Sequence, residues 1–260
     1  MDLAVAVGGL GLVAGLLSGL LGIGGGIVMT PLLLYAPPLL GSQALDMKTV
    51  AGLTIVQGLA SCLSGGLTHR RFRFVSLPLS LWMGATIFAA ALVGGAGAKF
   101  LANRHLLAIF AGMAMAAAAL LLVPVPSDRD PEPPDPDDLR FSRPRAVATA
   151  VGVGLLGGLV GQGGSFILIP LMTSFLRIPT RIAIGSNLGI VFLSSLAGFL
   201  GKAATGQIAW GLALPVVATV LPAAHLGSRL SRHVPVGRLR FLLAVCILLA
   251  ILRIGFSVFG

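Results

Sequence analysis

Long apolar stretches separated by short polar breaks set the organisation of this chain. In the first half they cover residues 3–21, 27–40, 49–67, 75–98 and 106–123. In the second half they cover 145–160, a short stretch ending at 176, then 182–200, a stretch ending near 230 after a 201–207 connection, and a last one ending near 258. None alternates with the period of a strand. The longer ones approach the ~20 residues that an α-helix needs to cross a bilayer. The pattern predicts an all-α polytopic membrane protein.

One motif occurs twice. Gly22-Ile23-Gly24-Gly25-Gly26-Ile27-Val28-Met29-Thr30-Pro31-Leu32 recurs as Gly161-Gln162-Gly163-Gly164-Ser165-Phe166-Ile167-Leu168-Ile169-Pro170-Leu171. Upstream, Gly11, Gly15 and Gly19 fall on Ala150, Gly154 and Gly158, a small residue every fourth position on one helical face. Each copy therefore reads as a helix with a close-packing stripe, a glycine break and a short second helix with a proline. Further on, Ala51-Gly52-Leu53-Thr54 falls opposite Ala183-Ile184-Gly185-Ser186. The chain is one duplicated unit, with repeats at 1–123 and 145–260, each a Gly-broken pair plus three transmembrane helices. Residues 124–144 join them and hold the prolines and acids of an extended, solvated linker.

Composition agrees with a membrane protein: 56% of residues are hydrophobic and 10% charged, with a mean hydropathy of +1.00. The net charge of +10 does not point to nucleic acid, because the Lys and Arg sit between apolar stretches without interleaved aromatics. They serve as topology signals. The first apolar stretch lacks a basic leading segment and is read as part of the fold, not as a signal peptide. Cys62 and Cys246 lie in apolar runs without metal-ligand spacing, so no metal or cofactor is expected.

The basic residues also order the repeats. If the halves were parallel, the 18 Lys and Arg would divide evenly between the two faces. If the second half is inverted, thirteen fall on the cytoplasmic side, against Lys48, Lys99, Arg104, Lys202 and Arg253 outside. The bias favours inverted repeats with the linker in the cytoplasm. Each Gly-broken pair must then enter and leave on one side, as a re-entrant hairpin or as two short spans.

The apolar spans offer no acidic residue, and no Lys or Arg lies within the segments around the glycine breaks. His69, His105 and His233 are assigned to loops. His225, inside an apolar helix, is the candidate proton relay, against the plainer reading of a packed residue. What remains is neutral and hydrogen-bonding: Thr54, Gln57, Gln162, Ser165, Ser186, Asn187, Ser194 and Ser195. A glycine break leaves backbone groups unpaired, and the half-helix after it presents N–H groups and a positive dipole end. The expected site for a small anion is therefore Gly24, Gly25, Gly26, Gly163, Gly164 and Ser165, with Thr54, Gln57, Gln162, Ser186 and Asn187 around it. A dinucleotide loop is excluded, since Gly22-Ile23-Gly24-Gly25-Gly26-Ile27 lacks the last glycine of that motif. An enzyme would need acids, paired histidines or a reactive cysteine in an arrangement that is absent here. A purely structural membrane protein would not need two matched polar breaks.

The stretch from Gly19 to Leu32, its copy at 158–171 and Ala183-Ile184-Gly185-Ser186-Asn187-Leu188 resemble the sulfite exporter TauE/SafE family of bacterial inner-membrane transporters over essentially the full chain. The resemblance implies secondary transport, exporting sulfite or a small organosulfonate. A channel or importer for another anion is the alternative, with a coupled proton and a homo-oligomer left open. The sequence departs from the family pattern at Leu53, where a glycine is usual, and at Gln162 and Ser165, which replace Ile23 and Gly26 of the first copy.

Overall fold

A computed structural model describes residues 2–71, 75–121, 135–136, 139, 141–161 and 164–259. Every regular element among them is helical: α1 (Leu3–Leu21), α2 (Gly26–Leu39), α3 (Met47–Arg71), α4 (Leu77–Gly97), α5 (Asn103–Leu121), α6 (Arg143–Val160), α7 (Ser165–Pro170), α8 (Thr180–Ala204), α9 (Trp210–Ser231) and α10 (Val236–Phe259). A π-helical turn, Leu171–Phe175, extends α7. Local chemistry sets the ends. The Asp2 carboxylate caps α1 by accepting from the Ala4 amide, and Gly22 closes α1 in the left-handed region at φ 67°. Gly161 closes α6 the same way at φ 80°, and Gly25 and Gly164, also left-handed, open α2 and α7. Five of these elements are long and apolar enough to cross a membrane: Leu3–Leu21, Leu77–Phe100, Asn103–Leu120, Thr180–Ala204 and Trp210–Ser231.

The polarity of burial suits lipid. On α1 the inward face is Gly8, Gly11, Ala14, Gly15, Ser18 and Gly19, while Val5, Leu12, Val13 and Leu16 face outward. Small residues let backbones approach, and lipid accepts the large apolar ones. The approach is close. A Cβ on Gly19 would strike the carbonyl of Ala224 on α9, and one on Gly158 would strike the carbonyl of Ala91 on α4. The first helix of each half thus packs on the fourth helix of the other half, α1 on α9 and α6 on α4.

Contact order along the helices fixes their directions. Gly8 lies by Pro215, Gly15 by Ala223 and Gly19 by Ser228, so α1 and α9 run parallel. Gly154 by Ile87 and Gly158 by Gly95 make α6 and α4 parallel, and Gly189 by Ser80 with Gly84 by Leu193 does the same for α4 and α8. Gly52 beside Gln207, and Ser64 donating to the Leu221 carbonyl, align α3 with α9. The equivalent helices α3 and α8 run antiparallel, with Gly58 at Ser195 and Gly198 at Ile55. Because α1 and α3 point the same way, α2 must return between them.

Several expected boundaries move. Helix α3 continues through His69, Arg70 and Arg71, which the sequence assigned to a loop, and residues 72–74 of that loop lie outside the described residues. His105 lies in the first turn of α5, while His233 does sit in a turn. Arg229 and Arg238 are helical too, because α9 and α10 leave a short connection in place of a long basic loop. The largest correction is Lys202: α8 does not end at 200, and Lys202 in its last turn is fully buried. Most of the linker lies outside the described residues.

Candidate functional site

The two glycine breaks meet. A Cβ on Gly24 would lie 3.2 Å from Ser165 Cβ and 3.1 Å from Val191 of α8, and one on Gly25 would overlap the Gln57 amide of α3. Gly24 and Gly25 have φ of 65° and 76°, so a side chain at either would be both strained and sterically blocked. Glycine here brings backbone against polar side chains of two crossing helices.

Those helices also seal the ends of the first helix in each repeat. Thr54 on α3 donates to the carbonyl of Gly161 at 3.0 Å, and Asn187 on α8 donates to the carbonyl of Gly22. Each third helix so satisfies a carbonyl left open where the other half's first helix stops. Ser61 of α3 donates toward the Gly24 carbonyl at 3.4 Å and receives the Ser18 hydroxyl at 2.8 Å.

Among the described residues, five of the seven buried side-chain atoms without a partner gather around the breaks, the other two being the Ser76 and Ser80 hydroxyls. Both polar atoms of Gln57, the hydroxyls of Ser165 and Ser195, and Asn187 Oδ1 are buried without a hydrogen-bond partner, in side chains with no exposed surface. They belong to one neighbourhood: Gln57 at Gly25, Ser165 at Gly24, Ser195 3.1 Å from the Cβ position of Gly58, and Asn187 at Gly22. Burying a polar group unpaired costs about 1–3 kcal/mol. Such groups are rare in folded proteins, and a cluster of them calls for a ligand or ordered water. No side chain caps the start of α2, so its first N–H groups add to the donors turned toward this point.

Of the expected site residues, Gly24, Gly25, Gly26, Gln57, Gly164, Ser165 and Asn187 come together here, and Thr54 borders them through Gly161. Ser186 does not turn to the breaks; its hydroxyl oxygen accepts from the Ser76 amide at 2.9 Å, where α4 begins. Gln162 and Gly163 lie outside the described residues. His225 sits half-buried on α9, next to the Ala224 that packs on Gly19. Ser195 is the member that sequence reasoning left out of the site. Its signal was the four-residue spacing Asn187, Val191, Ser195 on one face of α8. Beside the cluster, a cavity of about 270 Å³ opens between Cys62, Ser80, Leu188 and Phe192. No group of three or more His, Cys, Asp or Glu residues that could hold a metal occurs among the described residues.

The family model described as "Sulfite exporter TauE/SafE" matches residues 7–254. The chain belongs to that family. Among curated relatives, the "Probable membrane transporter protein YunE" of Bacillus subtilis (strain 168) is 24% identical over 92% of this chain and 93% of its own length. A "Probable membrane transporter protein" of Xylella fastidiosa (strain 9a5c) is 28% identical over 88% and 85%. The "Probable membrane transporter protein MamO" of Magnetospirillum gryphiswaldense is 32% identical, over 35% of this chain and 16% of its own. No solved structure matches. The helices and the family together make this TauE/SafE chain a multi-pass membrane protein of a transporter family.

Proposed function

We propose that this protein is a secondary transporter moving a small sulfur-containing oxyanion, sulfite or an organosulfonate, across a bacterial inner membrane, with the anion held where the two glycine breaks meet. The observation that carries this is the cluster of buried, unpartnered donors on Gln57 Nε2 and the Ser165 and Ser195 hydroxyls. An oxyanion accepts from amide and hydroxyl donors, and several neutral donors with a helix N-terminus can replace its hydration shell. The family's name supports sulfur oxyanions as the class. Export is the favoured direction on the same ground.

The repeats are read as inverted. Antiparallel α3 and α8, with α1, α3 and α9 all opposed to α4, α6 and α8, support a two-fold axis lying in the membrane plane. At 19 residues, α1 is roughly 28 Å long by helical rise. That length favours two spans over a shallow hairpin.

Flux tests the proposal. Purified protein in proteoliposomes should move sulfite or a sulfonate, and flux should respond to a proton gradient if a proton is coupled. Flux indifferent to any sulfur oxyanion, in protein shown to be folded, would refute the substrate class.

A further inference from the structure

Among the described residues Lys202 is the one charged side chain that is fully buried. Its ammonium donates to the Leu159 carbonyl at 3.4 Å and to Gln207 Oε1 at 3.5 Å, both near the long limit for a hydrogen bond, and it has three protons to place. The charged side chain acting on it is Lys48, of like sign. Asp46 does not answer it, because that carboxylate accepts from the Thr49 amide and from Asn103. A buried ammonium is normally paired with an acid. Here the carbonyl end of α6 offsets only part of the charge.

Its position on α8 links it to the anion site. Asn187, Val191, Ser195, Gly198 and Lys202 follow at intervals of four, four, three and four residues, which is one helical face. The first four of these meet Gly22, Gly24, Gly58 and Ile55 in turn. Lys202 ends the same face, two turns or about 10 Å beyond Ser195. Its ammonium rests on the Leu159 carbonyl, two residues before Gly161, where the second break begins.

We propose that Lys202 is the cationic station of the anion path, compensating the anion's charge between the α3 N-terminal end of the protein and the site at the glycine breaks. This rests on the placement of the anion between the breaks. The plainer role, capping α6 through Leu159, would need a donor but not a charge.

The test uses the full chain in proteoliposomes, with labelled sulfate as a dianionic probe and methanesulfonate as a monoanionic one. Coulombic attraction scales with the anion's charge. K202Q keeps a donor for Leu159 and removes the charge; it should lower sulfate flux about 10-fold more than methanesulfonate flux, while K202R retains most of both. Gln57→Leu and Ser195→Ala should lower both probes by a common factor. An unchanged sulfate-to-methanesulfonate ratio in folded K202Q overturns the role of Lys202. If the Gln57 and Ser195 variants still lower flux, the site between the breaks survives that result. Flux of neither probe, nor of sulfite, through the wild type removes the site and this inference together. Should K202Q fail to fold, K202R decides, because the planar guanidinium should shift the ranking of sulfate against chloride. An unchanged ranking refutes the proposal.

Discussion

Thr54 donates its hydroxyl to the carbonyl of Gly161, 107 positions further along the chain. The bond joins the third helix of one repeat to the end of the first helix of the other, and Asn187 does the same in reverse at Gly22. The halves therefore fold as one body, each finishing the other's backbone hydrogen bonding. Thr54→Val keeps shape and removes the donor. It should destabilise the protein by about 1–3 kcal/mol, the cost of leaving a buried carbonyl unpaired, seen as a lower melting temperature in detergent with Thr54→Ser close to wild type.

Asn187 has a double role. Its Nδ2 holds Gly22 while its Oδ1 is unpartnered. Asn187→Ala should lose stability through Gly22 and anion affinity, about 10-fold in Kd, through the second Nδ2 proton, since Oδ1 can only accept. Isothermal titration alongside thermal melting separates the two losses.

Gln57 and Ser195 should behave in the opposite way. Their polar atoms are buried without protein partners, so Gln57→Leu and Ser195→Ala relieve a desolvation cost and should leave the melting temperature measured without anion unchanged or raise it. Both should weaken anion binding. A fall in apo stability together with unaltered binding would mean that these groups serve packing alone.

The glycine stripes predict a graded series on α1. A Cβ at Gly9 meets nothing within 4 Å, one at Gly15 comes 3.0 Å from Ala223 Cβ, and one at Gly19 overlaps the Ala224 carbonyl. Gly9→Ala should be tolerated, Gly15→Ala mildly destabilising, and Gly19→Ala severe, because the backbones of α1 and α9 cannot separate without losing the interface. Yield of monodisperse protein reads the order directly.

Much of this was legible in the chain. Helices, breaks and duplication followed from apolar run lengths and from the repeated glycine motif, since in lipid backbone pairing leaves few alternatives. Gly24, Gly25, Gln57 and Ser165 could be grouped from the sequence because a glycine break needs polar company, and the fold brings them together. Ser186 accepts the Ser76 amide instead of turning to the breaks, and nothing in the sequence distinguishes a serine that receives an amide at a helix start from one that faces a ligand. Lys202 was hidden for a related reason. Hydropathy ends a span at its first charge, whereas helix α8 continues to Ala204 and protein, not lipid, surrounds the ammonium. The exchange of first helices between halves is a tertiary fact with no local signature.

Topology offers an independent check on the reading of inverted repeats. Lys48 donates to the Lys99 carbonyl at 3.1 Å and acts on Lys202, so three of the five basic residues assigned to the outer face gather at one end of the molecule. Cysteine labelling in intact cells should reach positions 99 and 206 from outside, and positions 135 and 233 only after permeabilisation. Labelling of 99 and 233 from the same side would contradict inversion.

The most direct measurement is a structure with selenite, an electron-dense oxyanion, bound to the full-length protein and located by anomalous scattering. The ion should lie within hydrogen-bonding distance of Gln57, Ser165 and Ser195, and its signal should disappear in Gln57→Leu. An ion bound instead at the Arg229–Arg240 end, undiminished in Gln57→Leu and Ser195→Ala, would contradict an anion site between the two glycine breaks.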